Sequence, residues 1–253
     1  MSKILPVSSK NLGGKRLLPI TSYLFAQKES LVSLTATEFP VAAQNFPIVF
    51  SRHHEHFGVF VLLGVEKGEN LFVDAAGRWL GDYIPATLRR YPFIYAKPEG
   101  ESAELVLCID EGSGLLNESG GEPLFDRKGD KTPALEKALN FINEYQKSAQ
   151  AAEVFSRALR QKDLLVPLDL QVKTGEKTAI KVEGLLRVDD ARFNNLSNND
   201  FLELRGKGFL PLIYLHFFSL AKIHDLIARK KARGKVASKH EESPTQFGDL
   251  FKF

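Results

Sequence analysis

Between Thr132 and Lys162, apolar side chains recur at spacings of three and four: Leu135, Leu139, Ile142, Tyr145, Ala149, Ala152, Phe155 and Leu159. That period predicts an amphipathic helix, and Pro133 suits its first turn. Upstream the pattern is shorter. Phe46–Phe50, Asn70–Asp74, Phe93–Ala96 and Glu104–Ile109 read as short strands parted by Gly and Pro, and the unbroken apolar run Val59–Val65 as a strand covered on both faces. Glu38–Ala43 predicts a short helical turn, Ala75-Ala76-Gly77 a tight turn, and Ile84–Tyr91 a short helix ended by Pro92. Residues 1–35, broken by Gly13-Gly14 and Pro19, read as an irregular or partly extended arm.

Downstream, Asp110–Asp130 is a polar, Gly-rich loop. Leu168–Val172 and Ala179–Val188 alternate as a hairpin with one solvated face. Ser197 with Asp200 three residues later predicts a helix start, and Leu210–Ile227 a buried helix. The fold class is therefore α+β, with a mainly antiparallel sheet in the N-terminal half and helices plus a β-hairpin in the C-terminal half. One domain over 36–228 is expected, with 111–131 as the alternative boundary between two lobes. Residues 229–253 are expected as a basic, then polar, flexible tail.

Composition narrows the class. With 253 residues, 43% apolar and 26% charged, the chain can bury a full core without disulfides or structural metal. Cys108 is alone, inside the apolar run Leu105–Ile109, and reads as a small core hydrophobe. Met1–Ala26 lacks the apolar stretch of a secretory signal, and no stretch of about 18 uninterrupted apolar residues occurs, so no membrane span is expected. Cytoplasmic residence follows as the expectation, with non-classical export to the cell surface left open. The net charge of +3 is local: Arg229, Lys230, Lys231, Arg233, Lys235 and Lys239 are six cations without an acid between them. Removing six of 34 cations leaves 28 against 31 acids, and a body of that sign does not select for nucleic acid.

Candidate chemistry is sparse. His53-His54-Glu55-His56 could place His54 and His56 on one side of a strand, but it lies between two predicted strands and reads as a solvated hairpin loop, so no metal is assigned. His216 and His224 lie eight residues apart on one helix and need not converge; filling a core or meeting a carboxylate is the commoner role for such residues. Asp110-Glu111 ends a strand, where neighbours point to opposite faces and cannot form a dyad without a bend. No phosphate-cradling loop and no nucleophile elbow is present, and no cofactor is expected. The densest cluster runs from Asp74 to Phe93. It holds Asp74, Arg78, Trp79, Asp82, Tyr83, Arg89, Arg90 and Tyr91, either bracing a turn or binding an anionic or peptide ligand.

This cluster also carries a resemblance. Phe46-Pro47-Ile48-Val49-Phe50, Gly68–Asp74, Gly77-Arg78-Trp79, Tyr83-Ile84-Pro85-Ala86, Arg89–Phe93, Leu107–Glu111, Leu124-Phe125-Asp126, Gly129–Pro133 and Ile213–Leu220 resemble, in order, the SapC family. The resemblance implies association with a bacterial surface layer and no assigned catalytic residue. The leading expectation is a non-enzymatic binding or accessory protein with a protein partner. Its surface would use Asp74, Arg78, Trp79, Asp82, Tyr83, Arg89, Arg90, Tyr91, Asp110 and Glu111. The rival is an enzyme, or an enzyme partner, with a small-molecule or peptide site where Asp110, Glu111 and the Arg78–Tyr91 cluster or His216 meet. Phe247–Phe253 is a further candidate docking segment.

Overall fold

The computed structural model describes residues 4–53, 56–96, 106–173 and 179–241, and within them the α+β class is realised as antiparallel sheets with helices packed on them. Residues 4–35 are extended in part, but they are woven into the sheets. β1 (Ile4–Pro6) pairs with β7 (Val106–Asp110), and a one-turn helix α1 (Ser9–Leu12) follows it. β2 (Arg16–Leu17) is the centre of a small sheet, and β3 (Leu31–Ser33) pairs with β5 (His56–Leu62). Leu12 is fully buried, which anchors the segment in the core.

α2 (Phe39–Asn45) begins with Pro40 in its first turn. β4 (Ile48–His53) and β5 form a hairpin with His53 opposite His56, so the histidine string marks its turn; residues 54 and 55 lie outside the described residues. Val61 and Leu62 are neighbours on β5, face opposite ways and are both buried, so the strand is covered on both faces as its unbroken apolar run predicts.

The expected strand Asn70–Asp74 does not form beyond a single bridge between Val73 and Trp79. Asn70, fully buried, donates its side-chain amide to the Ala26 carbonyl at 2.9 Å and accepts the Phe72 amide at 2.9 Å. Such local bonds draw backbone groups away from a sheet ladder. The turn at Gly77 is where it was expected: φ is +82°, and a Cβ there would lie 2.0 Å from Ser22 Oγ. α3 (Ala86–Arg89) and β6 (Phe93–Ala96) follow, β6 pairing with β7.

The polar stretch after Asp110 is more than a loop. β8 (Leu116–Asn117) and β9 (Glu122–Pro123) flank β2 on either side. α4 (Pro133–Gln161) then runs unbroken for 29 residues, about 44 Å, with Thr132 Oγ1 accepting the Leu135 amide at its start. Its Leu135 and Ile142 join a small core with Leu12, Phe93, Ile109, Leu124 and Phe125. Its Ala152, Phe155, Ala158 and Leu159 join a larger core built on Phe39, Phe46, Phe50 and Val61. One helix thus spans both cores, and Leu124 and Phe125 tie 111–131 to the smaller one.

β10 (Leu165–Pro167), β11 (Leu170–Lys173), β12 (Ala179–Val182) and β13 (Leu185–Val188) complete the strands. β11 and β12 pair as the expected hairpin, but Gly184 at φ +79° turns the chain and β13 leaves it. The five-stranded sheet has the order β10-β13-β4-β5-β3, and the others are β1-β7-β6, β8-β2-β9 and β11-β12.

α5 (Asp190–Asn194) and α6 (Asn198–Gly206) follow, the latter capped by Ser197, whose Oγ accepts the Asp200 amide at 3.1 Å. The expected single helix Leu210–Ile227 is two: α7 (Leu210–Ser219) and α8 (Lys222–Glu241), parted by a two-residue turn. Only one face is buried, through Ile213, His216, Ser219 and Leu226. Leu210–Gly234 is long and apolar enough to cross a membrane by length and composition alone. The expected tail also changes at its start, since residues 229–241 are helical.

Candidate functional site

The Asp74–Tyr91 cluster separates into a braced turn, a buried junction and a groove wall. In the turn, Asp74 Oδ1 accepts the amides of Ala76 (2.9 Å) and Arg78 (2.8 Å), and Oδ2 accepts Arg78 Nε at 2.7 Å. The Arg78 amide and then its guanidinium hold the Asp74 carboxyl below its ordinary range. Asp82 is exposed.

Trp79 points inward. Its ring stacks on Phe72 at 5.7 Å and meets Phe46 and Tyr23, and its indole N–H donates to the Tyr83 carbonyl at 2.8 Å. The aromatic residue expected at the heart of a contact surface is therefore largely a packing element.

Glu38 organises the junction, a role that the sequence pattern does not assign to it. It is 5% exposed and accepts four bonds: Thr35 N–H at 3.0 Å and Thr35 Oγ1–H at 2.7 Å on one oxygen, Tyr83 O–H at 2.8 Å and Ala86 N–H at 2.6 Å on the other. The spacing Thr35-x-x-Glu38 is a capping-box signature and was the available signal; the bonds to Tyr83 and Ala86 have none. Burial and then the Glu38 carboxylate push the Tyr83 phenol up to about 12, which keeps it a donor. Arg89 donates to the Tyr83 oxygen at 3.1 Å and to the Ile84 carbonyl at 2.9 Å, and its guanidinium lies over Phe141 at 5.1 Å.

Arg90 and Tyr91 turn to the other side of α3, where a groove of about 460 Å³ opens. It runs between β3, contributing Leu31, Val32 and Ser33, and β6, contributing Phe93 and Ile94. Phe25 and Tyr91 stack in its wall at 4.0 Å, and Arg52 and Arg90 bring positive charge to it beside Glu29. Arg90 lies over Tyr145 at 5.1 Å and donates to the Phe93 carbonyl at 3.2 Å, while its Nε is buried without a partner. Thr87 Oγ1 donates to the Ser33 carbonyl at 2.7 Å, tying α3 to β3.

Asp110 and Glu111 do not pair. Asp110 caps the turn after β7 through the Gly112 amide at 2.9 Å. Burial, and then the Asp110 charge, raise the Tyr91 phenol. His216 is closed to chemistry: it is fully buried, its Nδ1 donates to the Ile48 carbonyl (2.9 Å) and its Nε2 accepts the Val188 amide (3.0 Å). Burial holds its pKa down at about 4. Of the two roles the helical pattern allows, core filling and a carboxylate partner, it takes the first. Cys108 is buried and burial raises its thiol, which suits a core residue.

The basic run after Ile227 is partly consumed by the body. Arg233 donates to the carbonyls of Asn70 (2.9 Å) and Val73 (2.6 Å), and Arg229 lies over Phe72 at 4.4 Å. Lys230 pairs with Glu66 at 2.9 Å and Glu69 at 2.8 Å. Phe247–Phe253 and the side chains of His53 to His56 lie outside what is described.

The model of the SapC family matches residues 7–226, and the chain belongs to that family. No curated protein and no solved structure matches it.

Proposed function

We propose that this SapC-family chain is a non-enzymatic binding or accessory protein of a bacterial cell-surface, surface-layer-like system, and that it holds an extended segment of a protein partner in the groove between β3 and β6. The observation that carries this reading is that two sheet edges border one apolar groove. Leu63 donates to the Ser30 carbonyl and Leu34 to the Val59 carbonyl, so alternation turns the backbone of Leu31 and Ser33 away from β5, toward the groove side; the Ser33 carbonyl is taken by Thr87, so Leu31 carries the edge. Asp110 donates to the Pro92 carbonyl, so on β6 it is Phe93 and Tyr95 that face away from β7; Arg90 takes both the N–H and the carbonyl of Phe93, which leaves Tyr95 for a partner strand. An extended peptide adds to such an edge through its main chain, and flanking pockets read its side chains. Arg and Tyr, here Arg90 and Tyr91, are the residue types that dominate binding hot spots.

A photo-crosslinking residue in place of Ile94, irradiated in the producing bacterium, tests this reading. The expected adduct is a polypeptide of the cell surface, lost when Leu31→Pro removes a groove-side N–H without touching the β5 ladder. An adduct-free protein that instead retains a low-mass compound in native mass spectrometry would transfer the groove to the enzyme reading. Synthesis in the cytoplasm followed by non-classical export is part of the same proposal, and cell fractionation reads it directly.

A further inference from the structure

α6, α7 and the start of α8 carry an apolar face that the described chain leaves uncovered. Phe218 is 73% exposed, Leu202 56% and Tyr214 46%, three of the seven large hydrophobics left exposed among the described residues. Pro211, Tyr214, Phe218 and Ala221 follow one another at helical spacing, all exposed, and no Asp, Glu, Lys or Arg interrupts 208–221. The face is continuous with α6, because the Phe193 ring meets Phe201, Tyr214 and Phe217 at 5.7–6.1 Å.

The charge around this face is one-sided. From Asn198, the start of α6, to His240 there are nine cations, Arg205, Lys207, Lys222, Arg229, Lys230, Lys231, Arg233, Lys235 and Lys239, against three acids, Asp200, Glu203 and Asp225. Taking nine from 34 and three from 31 leaves 25 cations against 28 acids elsewhere. Arg229, Lys230 and Arg233 are spent on the body and Lys207 pairs with Glu203, but Arg205 and Lys231 are exposed. A second copy packed on this face in a two-fold pair would set the same basic surface against itself. An anionic lipid surface complements both features, taking aromatic side chains among its headgroups and drawing in neighbouring Lys and Arg.

We infer that the α6–α7–α8 face docks this protein on an anionic membrane surface, with Phe218 and Tyr214 entering the headgroup region. The helices lie on the membrane and do not cross it. Ile213, His216, Ser219 and Leu226 are committed to the protein core, and His216 is bonded on both ring nitrogens to β4 and β13. The inference is independent of the groove, which lies on other elements.

The test is sedimentation of the full chain with phosphatidylcholine vesicles, with and without phosphatidylglycerol. Binding is expected only with the anionic lipid, and it weakens as salt screens the contact. Phe218→Glu, at a side chain mostly in solvent, weakens it roughly tenfold or more. Lys231→Ala weakens it about fivefold. In Phe218→Trp, emission shifts to the blue on anionic vesicles beyond any change from Trp79 in the unsubstituted protein. No binding to anionic vesicles at low salt overturns the inference. So does a dimer in analytical ultracentrifugation that Phe218→Glu dissociates, since a second copy would then own the face.

Discussion

The carboxylate of Glu38 accepts the phenolic hydrogen of Tyr83 at 2.8 Å, joining residues 45 positions apart in a buried junction. The same oxygen accepts the Ala86 amide, so this one side chain holds the turn before α2, the Tyr83 ring and the start of α3 together. The groove wall formed by Arg90 and Tyr91 stands directly behind that junction.

Every partner of Glu38 is a donor, and each oxygen faces one backbone N–H, of Thr35 or Ala86. A glutamine in its place must turn its own NH2 toward one of them. Glu38→Gln is expected to cost about 2–3 kcal/mol, while Tyr83→Phe, which leaves the Ala86 bond in place, costs about 1 kcal/mol. Urea denaturation measures both. Equal losses would mean that the carboxylate is not the organising group.

His216 makes stability depend on pH. Its pKa is about 4 in the folded chain against an ordinary 6.5, so the unfolded chain takes up the proton first as pH falls. The stabilisation is fully present above 6.5 and is lost as pH drops toward 4, by up to about 3 kcal/mol for this residue. His216→Gln should be less stable at neutral pH and should show a shallower decline between those limits. An unchanged slope would assign the acid sensitivity to carboxylates.

Trp79 is expected to act on stability before binding. Trp79→Ala removes contacts to Phe72, Phe46 and Tyr23 and should cost about 3–5 kcal/mol, while Trp79→Phe should cost about 1 kcal/mol. Thermal unfolding followed by circular dichroism reads both. A fully stable Trp79→Ala would return the indole to the contact surface.

The α8 cations should clamp the 66–73 loop. Lys230→Met leaves Glu69 in a site where one of its oxygens already lacks a partner, and is expected to destabilise by about 1–3 kcal/mol. In Arg233→Ala, amide hydrogens of residues 70–74 should exchange faster while those of α4 keep their protection. Uniform acceleration across the protein would show that the clamp is global.

Much of the secondary structure was legible because its causes are local. Helix α4 was found to within a residue at each end, since its hydrogen bonds and its apolar stripe repeat within four residues and Thr132-Pro133 mark its start. The β4–β5 hairpin, the Gly77 turn and the Ser197 cap are of the same kind. For His216 the helical pattern allows core filling or a carboxylate partner, and the tertiary structure decides for the core.

The tertiary structure decided the rest. β2, β8 and β9 are two residues each, too short for any alternation to announce them, and they exist only because Arg16–Leu17 meets partners about a hundred residues away. The basic run after Ile227 reads as a solvated tail until Arg233 and Lys230 find carbonyls and carboxylates in the 66–73 loop. Trp79 and Arg90 lie in one dense string of sequence, yet one fills a core and the other lines a groove. Periodicity determines what a segment becomes. Which segments meet, and hence which side chains remain available to a partner, is set by long-range burial that no local pattern encodes.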